Sequence, residues 1–436
     1  MGEGITRNTG NTGKAGFISV AYTYNTMRRF QRNASIFADK DALRESYTPP
    51  EIEERDEEIA DYMDALQPVI DGWEPDNIFL YGNTGVGKTA VTDRLMEQLE
   101  EDAEEYDDID VTVFSVNCKT LSSSYQVAVQ LVNAMRPDGG EIAATGHPKQ
   151  TVFRMLYDEL EDIGGTVLLI LDEIDSIGSN DELLYELPRA RANGNLEHTK
   201  VGIIGISNDF KFSDQLDPRV QDTLCERELH FPAYEADELV SIVESRAEIA
   251  LKEDAVDEGA IRLCAALAAK DRGSARQALD LLRLSGEQAE RADEDVITED
   301  HVEAARQELE RERVEEGIRQ LTHHGHLSLL SIVSLAAADD TPARTRTVFE
   351  RYQNVCETMG ISPLSRRSIH NHVKDLVMLG ILRERDNNSG SGMRGNFNTY
   401  ELDVPFDSAL SALAGELDID ERASELRRLA DINDVA

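Results

Sequence analysis

The sequence predicts an α/β protein: a parallel sheet covered by helices, then a small helical domain and a separate helix-turn-helix unit. Three observations carry this. From Tyr47 to about Glu235, apolar β-type runs alternate with helical patterns, as a parallel sheet requires when each strand is joined to the next through a crossover helix. The first run, Ile78 to Tyr81, leads directly into a glycine-rich loop, Gly82-Asn83-Thr84-Gly85-Val86-Gly87-Lys88-Thr89. Past Ala236 the apolar spacing becomes helical, and nearer the C-terminus two amphipathic stretches flank a Gly360-Ile361-Ser362-Pro363 break.

Taken in order, residues 1–45 are polar and Gly/Asn/Thr-rich at the start and read as an N-terminal extension or arm. Residues 46–235 form the α/β domain that carries the glycine loop, with strands expected at Ile78–Tyr81, Val111–Val116, Val167–Leu171 and Val201–Ser207. Residues 236–320 make a helical lid and a connecting helix; Leu239, Ile242, Val243 and Ile249 set its apolar face, and ELERERVEEGIRQL gives the connector a solvated one. A third unit spans 321–405, and the acidic stretch 406–436 reads as a peripheral tail.

At 436 residues the chain is long enough for two or three cores. Its 85 acidic and 44 basic residues leave a net charge of -41, spread along most of the chain. Carboxylates at that density keep a protein hydrated in concentrated salt and repel one another when salt is removed, so a halophilic source is expected. The four cysteines, Cys118, Cys225, Cys264 and Cys356, lie far apart and suggest buried thiols, with neither a zinc site nor a disulfide framework. No apolar run approaches membrane-spanning length, and the polar start MGEGITRNTGNTGKAG has no signal-peptide core. A cytoplasmic protein is expected.

The glycine loop is a phosphate cradle. Gly82, Gly85 and Gly87 let backbone N–H groups converge on phosphates, with Asn83, Thr84 and Val86 between them. Lys88 can reach β/γ oxygens, Thr89 can ligate Mg²⁺, and the helix that follows adds its positive end. ATP or GTP binding follows. The run Leu168 to Leu171 then ends in Asp172-Glu173, a carboxylate for Mg²⁺ followed by one able to polarise the attacking water. The run Val201 to Ser207 ends at Asn208, whose amide can orient that water.

These residues, in this order, resemble the AAA+ ATPase superfamily. Leu216-Asp217-Pro218-Arg219-Val220 resembles its arginine-finger segment, and Gly273 to Arg283 its sensor 2 helix. With Tyr47-Thr48-Pro49-Pro50 and Arg55, the chain is similar over residues 35–405 to the archaeal origin-recognition and cell-division-cycle initiators of DNA replication. The resemblance implies that Arg276 contacts the γ-phosphate from the lid and that Arg219 acts on the ATP of a neighbouring copy. It implies ATP/ADP and Mg²⁺ as cofactors, slow hydrolysis used as a switch, and a nucleoid-associated location. Double-stranded origin DNA, the replicative minichromosome maintenance helicase and other initiator copies are the implied partners. A further DNA contact within Leu121–Lys149 is implied too. The rivals are a regulatory paralogue using nucleotide as a structural ligand and a hexameric branch-migration motor.

Between residues 365 and 382 one helical face carries Ile369, Val373, Leu376 and Val377, and the other carries Arg366, Arg367, His370, Asn371 and Lys374. A Gly/Ser/Asn-rich loop with Arg394 and an alternating run from Thr399 follow, completing a winged helix. Residues 341–403 hold nine basic against seven acidic groups, in a chain of net charge -41. The recognition helix could place Arg366, Arg367 or Asn371 near base edges, with Lys374 and Arg394 on phosphates or in the minor groove. His323-His324-Gly325-His326 reads as a helix boundary, because no carboxylate or thiol stands at ligand spacing.

Overall fold

The computed structural model describes residues 35–136, 139–177, 181–386, 398–417 and 419–434. The first domain runs α1 (Asp56–Ile70), β1 (Ile78–Gly82), α2 (Lys88–Ala103), β2 (Val111–Asn117), α3 (Ser124–Met135), α4 (Lys149–Ile163), β3 (Thr166–Asp172), α5 (Glu182–Glu186), β4 (Lys200–Ser207), α6 (Phe212–Gln215), α7 (Pro218–Leu224) and β5 (Arg227–Phe231). The sheet order is β2-β3-β4-β1-β5, and every pairing is parallel. β4 therefore lies between β1 and β3, so the ends of these three strands share one crevice, where open α/β sheets bind ligands.

Strand alternation sends neighbouring residues to opposite faces. Ile78, Leu80, Leu168, Ile170, Ile204 and Ile206 join one core with α1, α2 and the lid helices. Phe79, Val167, Leu169, Leu171 and Ile203 join a second core with α3 and α4. The four expected strands are present. β5 was not anticipated from RELHF, an edge strand whose residues are mostly exposed and whose apolar content is only Leu229 and Phe231.

The lid comprises α8 (Ala236–Ala250), α9 (Glu258–Asp271) and α10 (Ala275–Ala292), followed by α11 (Glu299–Arg319). The connecting helix is thus α11, separate from the lid helix before it. α10 ends at Asp293, which takes the left-handed conformation at φ 60°, and a Thr298–His301 capping box starts α11. Ile36, Phe37, Ala42 and Leu43 are buried in the lid's core, and Phe37 bridges to Leu251, so the segment before α1 straps the lid.

The third unit contains α12 (His323–Ala336), β6 (Ala343–Arg344), α13 (Thr345–Thr358), α14 (Arg366–Met378), β7 (Leu382–Asp386), β8 (Asn398–Leu402), α15 (Phe406–Leu417) and α16 (Asp420–Asp434). Its antiparallel sheet has the order β6-β8-β7. α12 is buried almost throughout, and Ser328, Ser331 and Ser334 each donate to the carbonyl four residues back, at 2.7, 2.6 and 2.7 Å. The stretch after residue 405 is not peripheral. Leu410, Leu413, Leu417, Ile419, Ala423 and Leu426 lie in the same core as α12 and α14. In α16 acidic residues sit between these apolar positions and mask the helical stripe.

No described helix is long and apolar enough to cross a membrane. The four cysteines are free thiols.

Candidate nucleotide site and nucleic-acid interface

Gly87 caps α2 at φ +95°, a left-handed conformation that glycine adopts without strain. Gly85, at φ +80°, has no room for a side chain: a Cβ there would stand 2.2 Å from Ser274 Oγ of the lid. Lys88 is only 4% exposed, and its ammonium donates to Gly82 O at 2.9 Å, Asn83 O at 2.8 Å and Asn208 Oδ1 at 2.9 Å. Burial pulls its pKa down to about 8, against the opposing pull of Asp172 and Asp175. Such a lysine gains from an incoming polyanion.

At the end of β3, Asp172 accepts from Thr89 Oγ1 at 3.2 Å and from the Glu173 N–H at 2.8 Å. Burial raises its pKa. This hydroxyl and carboxylate pair fits one hard cation, which prefers oxygen donors. The described residues hold no cluster of three or more carboxylate, imidazole or thiol groups suited to a metal, so Mg²⁺ would be shared with phosphate oxygens. Glu173 has φ 51°, a strained conformation for a non-glycine residue and one that recurs at functional positions. Its carboxylate lies 3.7 Å from the Lys119 ammonium. Asp175 holds the end of β4, accepting from Ser207 Oγ at 2.9 Å and the Asn208 N–H at 3.1 Å. Sequence reasoning gave no role to Asp175 or Lys119, although Asp175 stands two residues past Glu173 in the same motif.

Lys88, Thr89, Asp172, Glu173 and Asn208, though not Lys119 or Asp175, face one cavity of about 260 Å³. Its polar end is Thr84, Gly85, Gly87, Lys88, Thr89, Asp172, Glu173 and Asn208, and its other end includes Tyr47, Pro49, Ile52, Ile242 and Leu279 from strap and lid. Gly82, Asn83 and Val86 shape the loop without lining the cavity. Arg276 reaches the cavity from α10 and pairs with Glu45 of the strap at 2.5 Å. Arg219 stands exposed at the start of α7, where Asp217 Oδ1 accepts its N–H at 2.9 Å, and it does not line this cavity.

In the third unit, the Ser365 side chain caps α14. Ile369, Val373 and Leu376 are buried, while Arg366, Arg367, Asn371 and Lys374 are exposed. His370 departs from the expected outer face. It is half-buried, and its Nδ1 is enclosed with no hydrogen-bond partner among the described residues. At 100° per residue it sits next to Ile369 and Val373, so the flank of the helix that carries it is already turning inward. Arg394 lies outside the described residues.

Much of the nearby charge is neutralised. Arg346 pairs with Glu350, Arg351 with Asp340, Arg383 with Asp403 and Arg385 with Glu401. Among the described residues Arg366, Arg367 and Lys374 have no ion-pair partner. In Leu121–Lys149 both basic residues are engaged, Arg136 with Glu159 and Lys149 with Glu182. His323 starts α12 behind the Thr322 cap, as the boundary reading expects.

A phosphate loop, a strand-end Asp-Glu pair and a lid that touches the loop define an AAA+ ATPase joined to a winged helix. Family descriptions agree: "AAA domain" matches residues 74–210, "Cdc6 AAA+ ATPase-type lid domain" 240–307 and "CDC6, C terminal winged helix domain" 316–412. ORC1-type DNA replication protein 15 of Haloarcula marismortui is 63% identical over 409 residues, covering 94% of this chain and 100% of that protein. ORC1-type DNA replication protein 10 of Halobacterium salinarum is 62% identical over 412 residues, covering 94% and 99%. The structure of Aeropyrum pernix ORC1 in complex with DNA superimposes with a TM-score of 0.74 at 35% identity, covering 90% of this chain and 100% of that one. The chain belongs to the ORC1-type DNA replication proteins, with close relatives in halophilic archaea.

Proposed function

We propose that this protein is an ATP-dependent replication initiator: it binds double-stranded origin DNA through α14 and helps recruit the replicative minichromosome maintenance helicase. One observation carries the reading. A lid-covered phosphate site and a recognition helix with unpaired cations occur in the same chain. The Aeropyrum relative was solved with DNA, which supports the second half.

Lys88 and the loop amides hold the triphosphate, and Thr89 and Asp172 hold Mg²⁺, which when bound offsets phosphate charge. Glu173 accepts the proton of the attacking water, and Asn208 orients that water. Arg276 reads the γ-phosphate from the lid, and Arg219 serves a neighbouring copy. Arg276 must exchange Glu45 for phosphate, and Glu173 must leave Lys119, before either can act, and hydrolysis is slow and serves as a switch. The site of action is the nucleoid.

The test is genome-wide mapping of bound sites, coupled to footprinting of those sites with ATP, with ADP and with Lys88→Ala. Protection centred on replication origins that weakens without ATP, and helicase capture in a pull-down, are expected. Binding away from origins and indifferent to nucleotide would instead make this a regulatory paralogue.

A further inference from the structure

We propose that Arg55 is a positioning residue that sets the spacing between the phosphate loop and the lid, and thereby the ability of Arg276 to distinguish a triphosphate from a diphosphate. The inference rests on the proposed role of Arg276.

Arg55 is 2% exposed, just before α1. Its Nε donates to Val86 O at 3.1 Å, inside the phosphate loop. One terminal nitrogen donates to Pro232 O at 2.7 Å, in the joint between β5 and α8, and the other to Glu58 at 3.3 Å. The guanidinium also lies over the Tyr234 ring, 3.6 Å from its centre.

From Tyr234 the contacts return to the loop. Its hydroxyl stands 3.0 Å from where a Cβ on Gly87 would be, and its N–H donates to Gly273 O at 3.0 Å. Two residues on, the Ala275 N–H donates to Gly85 O at 2.9 Å. The circuit Val86, Arg55, Tyr234, Gly273, Ala275, Gly85 therefore closes on itself, and Arg276 is the next residue after Ala275. A lid that swings about the Pro232 joint must break the Ala275–Gly85 hydrogen bond, and Arg55 fixes the distance between the loop and the joint about which it swings.

The residue type fits the task. A planar fork donates in three directions and presents a face to an aromatic ring, which an ammonium cannot do at once. Burying a charge beside one carboxylate and two main-chain carbonyls is a poor way to gain stability, since a well-packed apolar group often serves as well. It is a good way to hold two backbone segments at a fixed separation.

The test measures ATP and ADP affinities of the full chain as wild type, Arg55→Lys, Arg276→Ala and the double variant, with thermal melts as a check on folding. Arg276→Ala should lose the preference for ATP over ADP. Arg55→Lys should lower that preference about tenfold, within the usual span of couplings between sites, with a smaller change in ADP affinity. The double variant should discriminate no worse than Arg276→Ala alone. If Arg55→Lys fails to fold, Tyr234→Leu removes the ring and leaves the three hydrogen bonds, and should lower the preference in the same sense. An unchanged preference in Arg55→Lys or, where that variant does not fold, in Tyr234→Leu, or effects that multiply in the double variant, would overturn the proposal while leaving the sensor reading intact. Full discrimination by Arg276→Ala removes the sensor reading, and this inference with it.

Discussion

Lys88 shows how burial tunes one side chain for its ligand. Free, it titrates at about 8; against phosphates it must carry its proton. Nucleotide affinity should therefore be flat at lower pH and fall by up to about tenfold per pH unit above that value, with proton uptake on binding. Calorimetric titrations near pH 8.5 in two buffers of different ionisation heat check this: equal apparent enthalpies would exclude the linkage. Lys88→Ala should greatly weaken binding, because no other cation replaces it among the three oxygens it now touches. Glu173→Gln should keep ATP binding and lose turnover, and equilibrium titration beside a phosphate-release assay separates the two. Residues next to a motif were easily read, since Lys88, Thr89, Asp172 and Asn208 meet as their order implies. Glu45 against Arg276, and Arg55 between Val86 and Pro232, join positions far apart in sequence, and no local pattern encodes such a meeting.

Among the elements, α14 carries the DNA-reading hypothesis. Alanine at Arg366 and Arg367 should weaken specific binding, at roughly 1–3 kcal/mol for each base edge no longer held, and leave ATP binding unchanged. Footprints at full strength from the double variant would dismiss the recognition helix. The helices α15 and α16 make a different prediction. Removing residues 406–436 strips Leu410, Leu413 and Leu417 from the core beneath α12, so the winged-helix unit should lose several kcal/mol, about 2–5 for each large aliphatic group truncated. A melt with an unchanged midpoint would contradict that packing. The recognition helix could be read because its apolar stripe stands out against basic neighbours, whereas α16 was obscured by its charge, and α15, with just Asp407 and Glu416 charged, carried a legible stripe that the tail reading passed over. β5 was hidden for the converse reason: at an edge, a strand needs little apolar sequence to pair.

At the scale of the whole molecule the net charge of -41 dominates. In about 1 M KCl the Debye length falls to about 3 Å, so carboxylate repulsion is screened and the melting temperature should rise from about 0.2 to 2 M KCl. A fall over that range would exclude the halophilic reading. The same screening removes most of the counterion-release gain of DNA binding, so origin affinity that persists at the upper end must come from close base contacts. Loss of all specific binding there would refute that recognition mode. The three unpaired cations of α14 also bear on how a target is found. Most proteins scan DNA by sliding, held loosely by a broad positive surface. Here the attractive patch among the described residues is one helix face, on a chain whose net charge of -41 repels the polymer. Random sequence should release the protein almost at once, so its search would proceed by many brief collisions from solution, and the time to reach an origin would scale with copy number more than with the length of DNA scanned per visit.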